Sequence, residues 1–269
     1  MHARDAGRAP YRLWVALALT WIAGFVDIVG YIVLYRVFVA NMTGNTIALG
    51  RGLAQGDWGL FFRRGFAIPM FVLGLVVSRL ILHLSEEKSA SRAAGVLFGV
   101  EVLLLVTFTV IGSREMSQGR IRSEAGWTYY LLVALPSMAM GLQNATLTHF
   151  GPLTVRTTHV TGTLSNLADE LVQYLVWFKA HTNSAGRFSH AVRATRAQPS
   201  FRAACFLASV WLSYCAGAAL GAFLELKWQL LSLVIPLALL SVMILILLCT
   251  PSIAESTARG SVSRPPQGR

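Results

Sequence analysis

The sequence predicts an all-α integral membrane protein: a helical bundle of six to eight transmembrane segments with an internal two-fold repeat. Three observations carry this. The chain is 55% hydrophobic and only 13% charged, whereas a soluble domain carries about 25% charged residues. Uncharged apolar runs recur; the one from Trp228 to Thr250 is long enough to cross a hydrocarbon core of roughly 30 Å as a helix. A short polar motif also occurs twice between such runs, the pattern expected of a repeated, transporter-like membrane fold.

The apolar runs divide the chain into eight segments. They cover about Trp14 to Tyr35, Val37 to Leu53, Gly65 to Leu84, Ala93 to Gly112, Thr128 to Phe150, Thr157 to Phe178, Phe201 to Leu224 and Trp228 to Thr250. Residues 1–12 read as a cytoplasmic N-terminus, 13–112 as a first membrane repeat, 113–127 as a connecting loop and 128–250 as a second repeat. The first segment is too long for a signal h-region and reads as a retained span. Within the second repeat, 179–202 is a basic cytoplasmic loop; the tail 251–269, rich in Ser, Arg, Pro and Gly, has the composition of a disordered segment. Segments two and six are the weak ones. Arg36 and Arg51 bracket fourteen residues, short of the ~20 a span requires, and segment six contains Asp169 and Glu170. Both read either as complete short helices or as half-helices with an extended entry, which membranes tolerate where the backbone is buried in protein or lines a cavity.

The net charge of +11 reads as topology signal and lipid anchoring, not as a nucleic-acid surface, because no basic-aromatic interleaving accompanies it. With eight spans and both termini cytoplasmic, the Lys and Arg residues divide 17 inside to 6 outside; with segments two and six re-entrant, they divide 15 to 8. The bias favours eight. Four plus four spans would make a parallel repeat, three plus three an inverted one.

Val39-Ala-Asn41-Met-Thr43-Gly44-Asn45-Thr46 is echoed by Thr157-Thr-His159-Val-Thr161-Gly162-Thr163-Leu164. Each copy follows a glycine with a polar residue three positions on: Gly24 and Asp27 in one half, Gly141 and Asn144 in the other. Glycine to Thr-Gly threonine is 19 residues in the first half and 20 in the second. With Gln143 beside Asn144, these paired motifs resemble the YoaK-like family of bacterial multispanning membrane proteins, grouped under a domain of unknown function. The resemblance covers roughly Ala16 to Leu248 and implies an inner-membrane location and no established activity.

Asp27 is the sharpest candidate. A carboxylate well inside a span is costly and normally faces the bundle interior or a water-filled cavity. Its functional reading is proton or cation coupling; its structural reading is a carboxyl hydrogen-bonded to polar groups of segment two or six. Asn41, Thr43 and Asn45 form one polar cluster, and His159, Thr161 and Thr163 a second. Gly44 and Gly162 permit backbone shapes that a side chain would hinder. A Thr or Asn at a helix start caps it, and the free N–H groups there suit an anion. Asn144 is a neutral near-isostere at the position matching Asp27, and Gln143 adds a second amide. Glu101, in segment four, reads as a partner for an arginine such as Arg79 or as an interfacial group.

Cys205, Cys215 and Cys249 are odd in number, lie in apolar segments and form no Cys-x-x-Cys pair, so they read as small hydrophobes. His149 and His159 lack a carboxylate or Cys at ligand spacing, so no metal is expected. No nucleophile motif, Walker loop or zincin signature is present, so no catalytic residue, cofactor or enzyme activity is expected. The functional expectation is secondary transport of an unknown small molecule or ion across the bacterial inner membrane, with proton coupling as one form of it. The alternative is a non-transporting scaffold or sensor using the basic loop. The expected partners are the lipid bilayer and that substrate, and no nucleic acid.

Overall fold

The computed structural model describes residues 3–84, 90–118, 126–150, 160–182 and 194–249, and these are helices joined by turns, with no strand among them. The tail from Pro251, the middle of the basic loop and His159 lie outside the described residues. Four stretches, Leu13–Val33, Trp58–Leu84, Ala93–Ser117 and Pro199–Ile246, are long and apolar enough to cross a membrane.

Helix α1 spans Ala3–Val33. The chain then turns through Tyr35 and Arg36, both at positive φ (51° and 67°), and runs non-helically to Asn41. Helix α2 spans Met42–Gln55; the Asn41 side chain caps it by accepting from the Gly44 N–H, and Gly56 ends it in the left-handed conformation. Segment two of the sequence reading therefore begins five residues early, because Val37–Asn41 is held by side chains and is no part of the helix. Helices α3 (Trp58–Leu84), α4 (Ala90–Ser117), α5 (Trp127–Phe150) and α6 (Val160–Thr182) follow. Helix α7 (Pro199–Trp228) is capped by the Gln198 side chain and has Pro199 in its first turn, where the missing N–H costs nothing. A 3-10 turn, Gln229–Leu233, leads into α8 (Val234–Cys249).

Glycines set the two principal helix crossings. Gly24 of α1 lies against the Tyr214 carbonyl of α7, and Gly217 of α7 against the Trp21 carbonyl of α1. Likewise, Gly141 of α5 lies against the Phe71 carbonyl of α3, and Gly74 of α3 against the Met138 carbonyl of α5. In both crossings backbone meets backbone with no side chain between, the close approach that small residues permit between membrane helices.

The direction of each helix follows from its contacts. Helices α1 and α7 run parallel: Ser213 donates to the Leu17 carbonyl (2.8 Å), while Gly221 lies further along against Phe25 and Ile28. Helices α3 and α5 also run parallel, with Phe66 edge-on to Tyr130 at one end and Arg79 sharing a pocket with Asn144 near the other. Helices α1 and α5 run antiparallel. Gln143 Nε2 donates to the Leu19 carbonyl (3.2 Å), and the Tyr129 hydroxyl donates to the Leu34 carbonyl (3.1 Å). A four-plus-four chain would need these two helices parallel, so the packing departs from the eight-span arrangement that the charge split favours. The reason is α2. It starts beside Asp27, in the C-terminal part of α1, and returns to the same end, where Arg64 of α3 donates to the Tyr35 carbonyl (3.0 Å).

The main core lies where α1, α4, α5 and the 3-10 turn meet, around Leu19, Ile22, Phe25, Phe98, Phe108 and Leu230. Outward faces are apolar too, as with Leu80, Leu103 and Leu245, which is the arrangement of a chain whose solvent is lipid.

Candidate functional site

The non-helical stretch before α2 is the structural centre of the site. Unpaired backbone groups are costly away from water, and two side chains satisfy this stretch. Asp27 Oδ1 accepts from the Val39 and Ala40 N–H groups, each at 2.8 Å. Asn45 closes a pair with Phe38: its Oδ1 accepts from the Phe38 N–H (3.0 Å), and its Nδ2 donates to the Phe38 carbonyl (2.6 Å). The remaining Asp27 oxygen, Oδ2, accepts from the Tyr214 hydroxyl at 2.8 Å. Asp27 is thus buried (3% exposed) and bonded on both oxygens.

A cavity of about 530 Å³ opens on the far side of this stretch. Its first wall is Ala40, Asn41, Met42, Thr43, Gly44 and Ile47; its second is Val160, Thr161 and Gly162; Phe71 and Tyr214 complete it. The two Thr-Gly motifs, more than a hundred residues apart in sequence, therefore face one space. Helix α2 leaves it toward the turn at Gly56. Helix α6 leaves it toward the start of α7, where Tyr174 packs on Phe201 and its hydroxyl lies 3.1 Å from Thr195 Oγ1. Because α1 and α7 run parallel from that end, α2 and α6 depart in opposite directions, with Met42 and Val160 at the cavity. First-turn N–H groups have no intrahelical acceptor and carry the positive end of the helix dipole.

The sequence candidates separate into layers. Asn41, Thr43, Gly44, Thr161 and Gly162 line the cavity. Asp27 and Asn45 sit behind it as braces, and Asp27 touches its lining through the Ala40 N–H and the Tyr214 hydroxyl. Thr163 is buried and does not line it; His159 lies outside the described residues. Gly24 and Gly141 belong to the helix crossings. A Cβ on Gly44 would meet the Phe38 ring, so that glycine lets the capped turn close. Gln143 is fully buried and ties α5 to α1. Asn144 is buried at a second, more open pocket with Leu75, Val76, Arg79, Leu80 and His83. No group of three or more His, Cys, Asp or Glu suited to a metal occurs among the described residues.

Three cavity residues escape the motif reading, Ile47 just past the first motif, and Tyr214 and Phe71. The signal of the two aromatics is in the sequence as Tyr214-Cys-Ala-Gly217 and Phe71-Val-Leu-Gly74, an aromatic three residues before a crossing glycine in each half. Glu101 corrects a pairing expectation. It is neither interfacial nor paired with Arg79: the side chain is 0% exposed and both its oxygens lack a hydrogen-bond partner, while Arg79 is exposed.

Comparison with known proteins adds a family. The family described as "Protein of unknown function (DUF1275)" matches residues 15–246. The UPF0700 transmembrane protein YoaK of Bacillus subtilis (strain 168) is 28% identical over 163 residues, 61% of this chain and 68% of that protein. No solved structure matches.

Proposed function

We propose, for a chain that belongs to the DUF1275 family of membrane proteins of unknown function, secondary transport of a small solute across the bacterial inner membrane. The observation that carries this reading is the single cavity lined by both Thr-Gly motifs. Two helices that start at one site and leave it toward opposite ends of a bundle match the geometry that repeat-built transporters use at the bilayer midplane. The first-turn N–H groups of Met42 and Thr43, the Thr43 and Thr161 hydroxyls and the Tyr214 hydroxyl suit a solute bearing an anionic or hydrogen-bond-accepting group.

An inverted two-fold repeat accompanies this reading. The glycine crossings support it: Trp21-x-x-Gly24 matches Met138-x-x-Gly141, and Phe71-x-x-Gly74 matches Tyr214-x-x-Gly217, each pair meeting through the same carbonyl contact. The antiparallel run of α1 and α5 supports inversion over a parallel repeat. Six helices then cross, α1, α3, α4, α5, α7 and α8, while α2 and α6 enter from opposite sides. Charge placement agrees. Arg51 lies nine residues past the start of α2 and Asp169 nine past Val160 in α6, or ~14 Å from the cavity at 1.5 Å per residue, near the edge of a ~30 Å core. With both termini cytoplasmic, the 15-to-8 division of Lys and Arg still obeys the positive-inside rule.

Topology is checked by single cysteines at Arg36 and Asp57 in a chain otherwise free of cysteine. Both are expected to react with a membrane-impermeant thiol reagent from outside. Labelling from opposite sides would restore the eight-span arrangement.

Coupling is assigned to Asp27, whose one side-chain link, the Tyr214 hydroxyl, reaches the cavity. The test is uptake into liposomes containing the purified protein, screened with pooled small anions and amino acids under a pH gradient. Wild type is expected to show substrate-dependent proton movement, Asp27→Asn to lose it, and Thr43→Val or Thr161→Val to weaken uptake about tenfold, the equivalent of one buried hydrogen bond. Full uptake by the double threonine variant, or none by folded wild type, rejects the reading.

A further inference from the structure

We propose that Glu101 seats a single positive charge, a proton or an alkali cation, in the seam between α4 and α5, apart from the Thr-Gly cavity. The Glu101 side chain is 0% exposed, and neither carboxylate oxygen has a hydrogen-bond partner. Nearly all buried polar groups in folded proteins find a partner, and an ionised carboxylate without one is costly away from water.

Helix register shows what shares its level. Gly112 of α4 lies against Leu132 of α5, and Leu97 of α4 clusters with Leu142 of α5. The two helices therefore run antiparallel, and Glu101, one turn beyond Leu97, falls near residues 138–143 of α5. That level holds another bare acceptor. Gln143 Nε2 is committed to the Leu19 carbonyl, which leaves its Oε1 buried without a partner.

Among the described residues, the elements packed on α4 at this level bring no counter-charge. Helix α8 and the 3-10 turn carry no charged residue, and α5 carries none between Trp127 and Ala145. The titratable groups of α5 there are Tyr129, whose hydroxyl is committed to Leu34 at the far end, and Tyr130, edge-on to Phe66. Arg79 and His83 of α3 are exposed and line the pocket beside Asn144, and Asp27 of α1 is bonded on both oxygens. The bare atoms at this level are oxygen acceptors. A proton turns one of them into a donor; an alkali ion takes them as ligands, as hard cations take carboxylate and carbonyl oxygens. Either supplies what the protein does not.

This site stands independently of the transport reading, because ion occupancy is read without flux. The test uses the purified full chain in detergent. Infrared difference spectra between neutral and alkaline pH are expected to show a carboxylic C=O band that Glu101→Gln abolishes; that result assigns a proton. A saturable rise in Tm when sodium or potassium chloride replaces choline chloride, lost in the same variant, assigns an alkali ion. Glu101→Gln is isosteric and neutral, so its fold is expected to survive. Glu101→Asp keeps the charge on a shorter arm and is expected to shift the band or weaken the ion response. Absence of both signals in wild type, or persistence of either unchanged in Glu101→Gln, overturns the proposal.

Discussion

Gly217→Val and Gly141→Val are each expected to abolish recovery of folded protein. At both positions a Cβ would overlap a backbone carbonyl of the facing helix, Trp21 in one crossing and Phe71 in the other. Overpacking a core costs about 1–3 kcal/mol when neighbouring side chains can shift. Here the neighbour is helical backbone, so the helices themselves must separate, and the loss approaches the whole of a stability of ~5–15 kcal/mol. The check is monodispersity on size exclusion together with thermal unfolding in detergent. Gly99→Ala is the control: nothing lies within 4 Å of a Cβ there, so it is expected to be neutral or slightly stabilising. A monodisperse Gly217→Val protein with wild-type Tm would refute the crossing geometry.

Asp27→Ala and Asp27→Asn are expected to part company. Alanine strands three donors, the Val39 and Ala40 N–H groups and the Tyr214 hydroxyl. At about 1–3 kcal/mol for each buried group left unsatisfied, the loss is several kcal/mol, and Tm should fall by roughly 10 °C on the scale of about 2–4 °C per kcal/mol for a chain of this size. Asparagine retains an oxygen for the two backbone donors and offers an N–H₂ to the tyrosine oxygen, so its Tm should stay within a few degrees of wild type. The contrast separates the bracing role of Asp27 from coupling. A stable Asp27→Asn protein that has lost proton-linked uptake carries the coupling assignment; an Asp27→Ala protein as stable as wild type would show that the carboxylate does not hold the Val37–Asn41 stretch.

Much of this was legible in the residues. Apolar runs located the helices, because a span must satisfy its backbone internally and present apolar side chains to lipid. The motif pairing located the cavity walls, since Thr43-Gly44 and Thr161-Gly162 are the polar breaks in otherwise apolar chain. The direction of α2 was not legible. Fourteen residues between arginines fit a short crossing and a half-helix alike, and the deciding facts, Asp27 gripping Val39 and Ala40 and Arg64 reaching Tyr35, are tertiary. Charge counting favours a crossing, whereas the packing places Arg64 beside the Tyr35 carbonyl at the end of α1 where Arg36 sits. Glu101 was misplaced for a related reason: its position near the start of an apolar run says nothing of which neighbour covers it. Tyr214 was missed because a lone tyrosine in a run looks like an interfacial anchor until its spacing to Gly217 is compared with that of Phe71 to Gly74.

The crosswise packing of α1 on α7 and α3 on α5 has a consequence for how the chain is made. The hydroxyl that completes the Asp27 carboxylate lies 187 residues downstream, and the glycine surface of α1 waits as long for its partner. At ~5–20 residues per second, roughly ten to forty seconds of synthesis separate the two. Throughout that interval Asp27 Oδ2 and the glycine stripe of α1 lack their α7 partners, so the nascent chain depends on the insertion machinery or on water at the translocon to shelter both until α7 emerges.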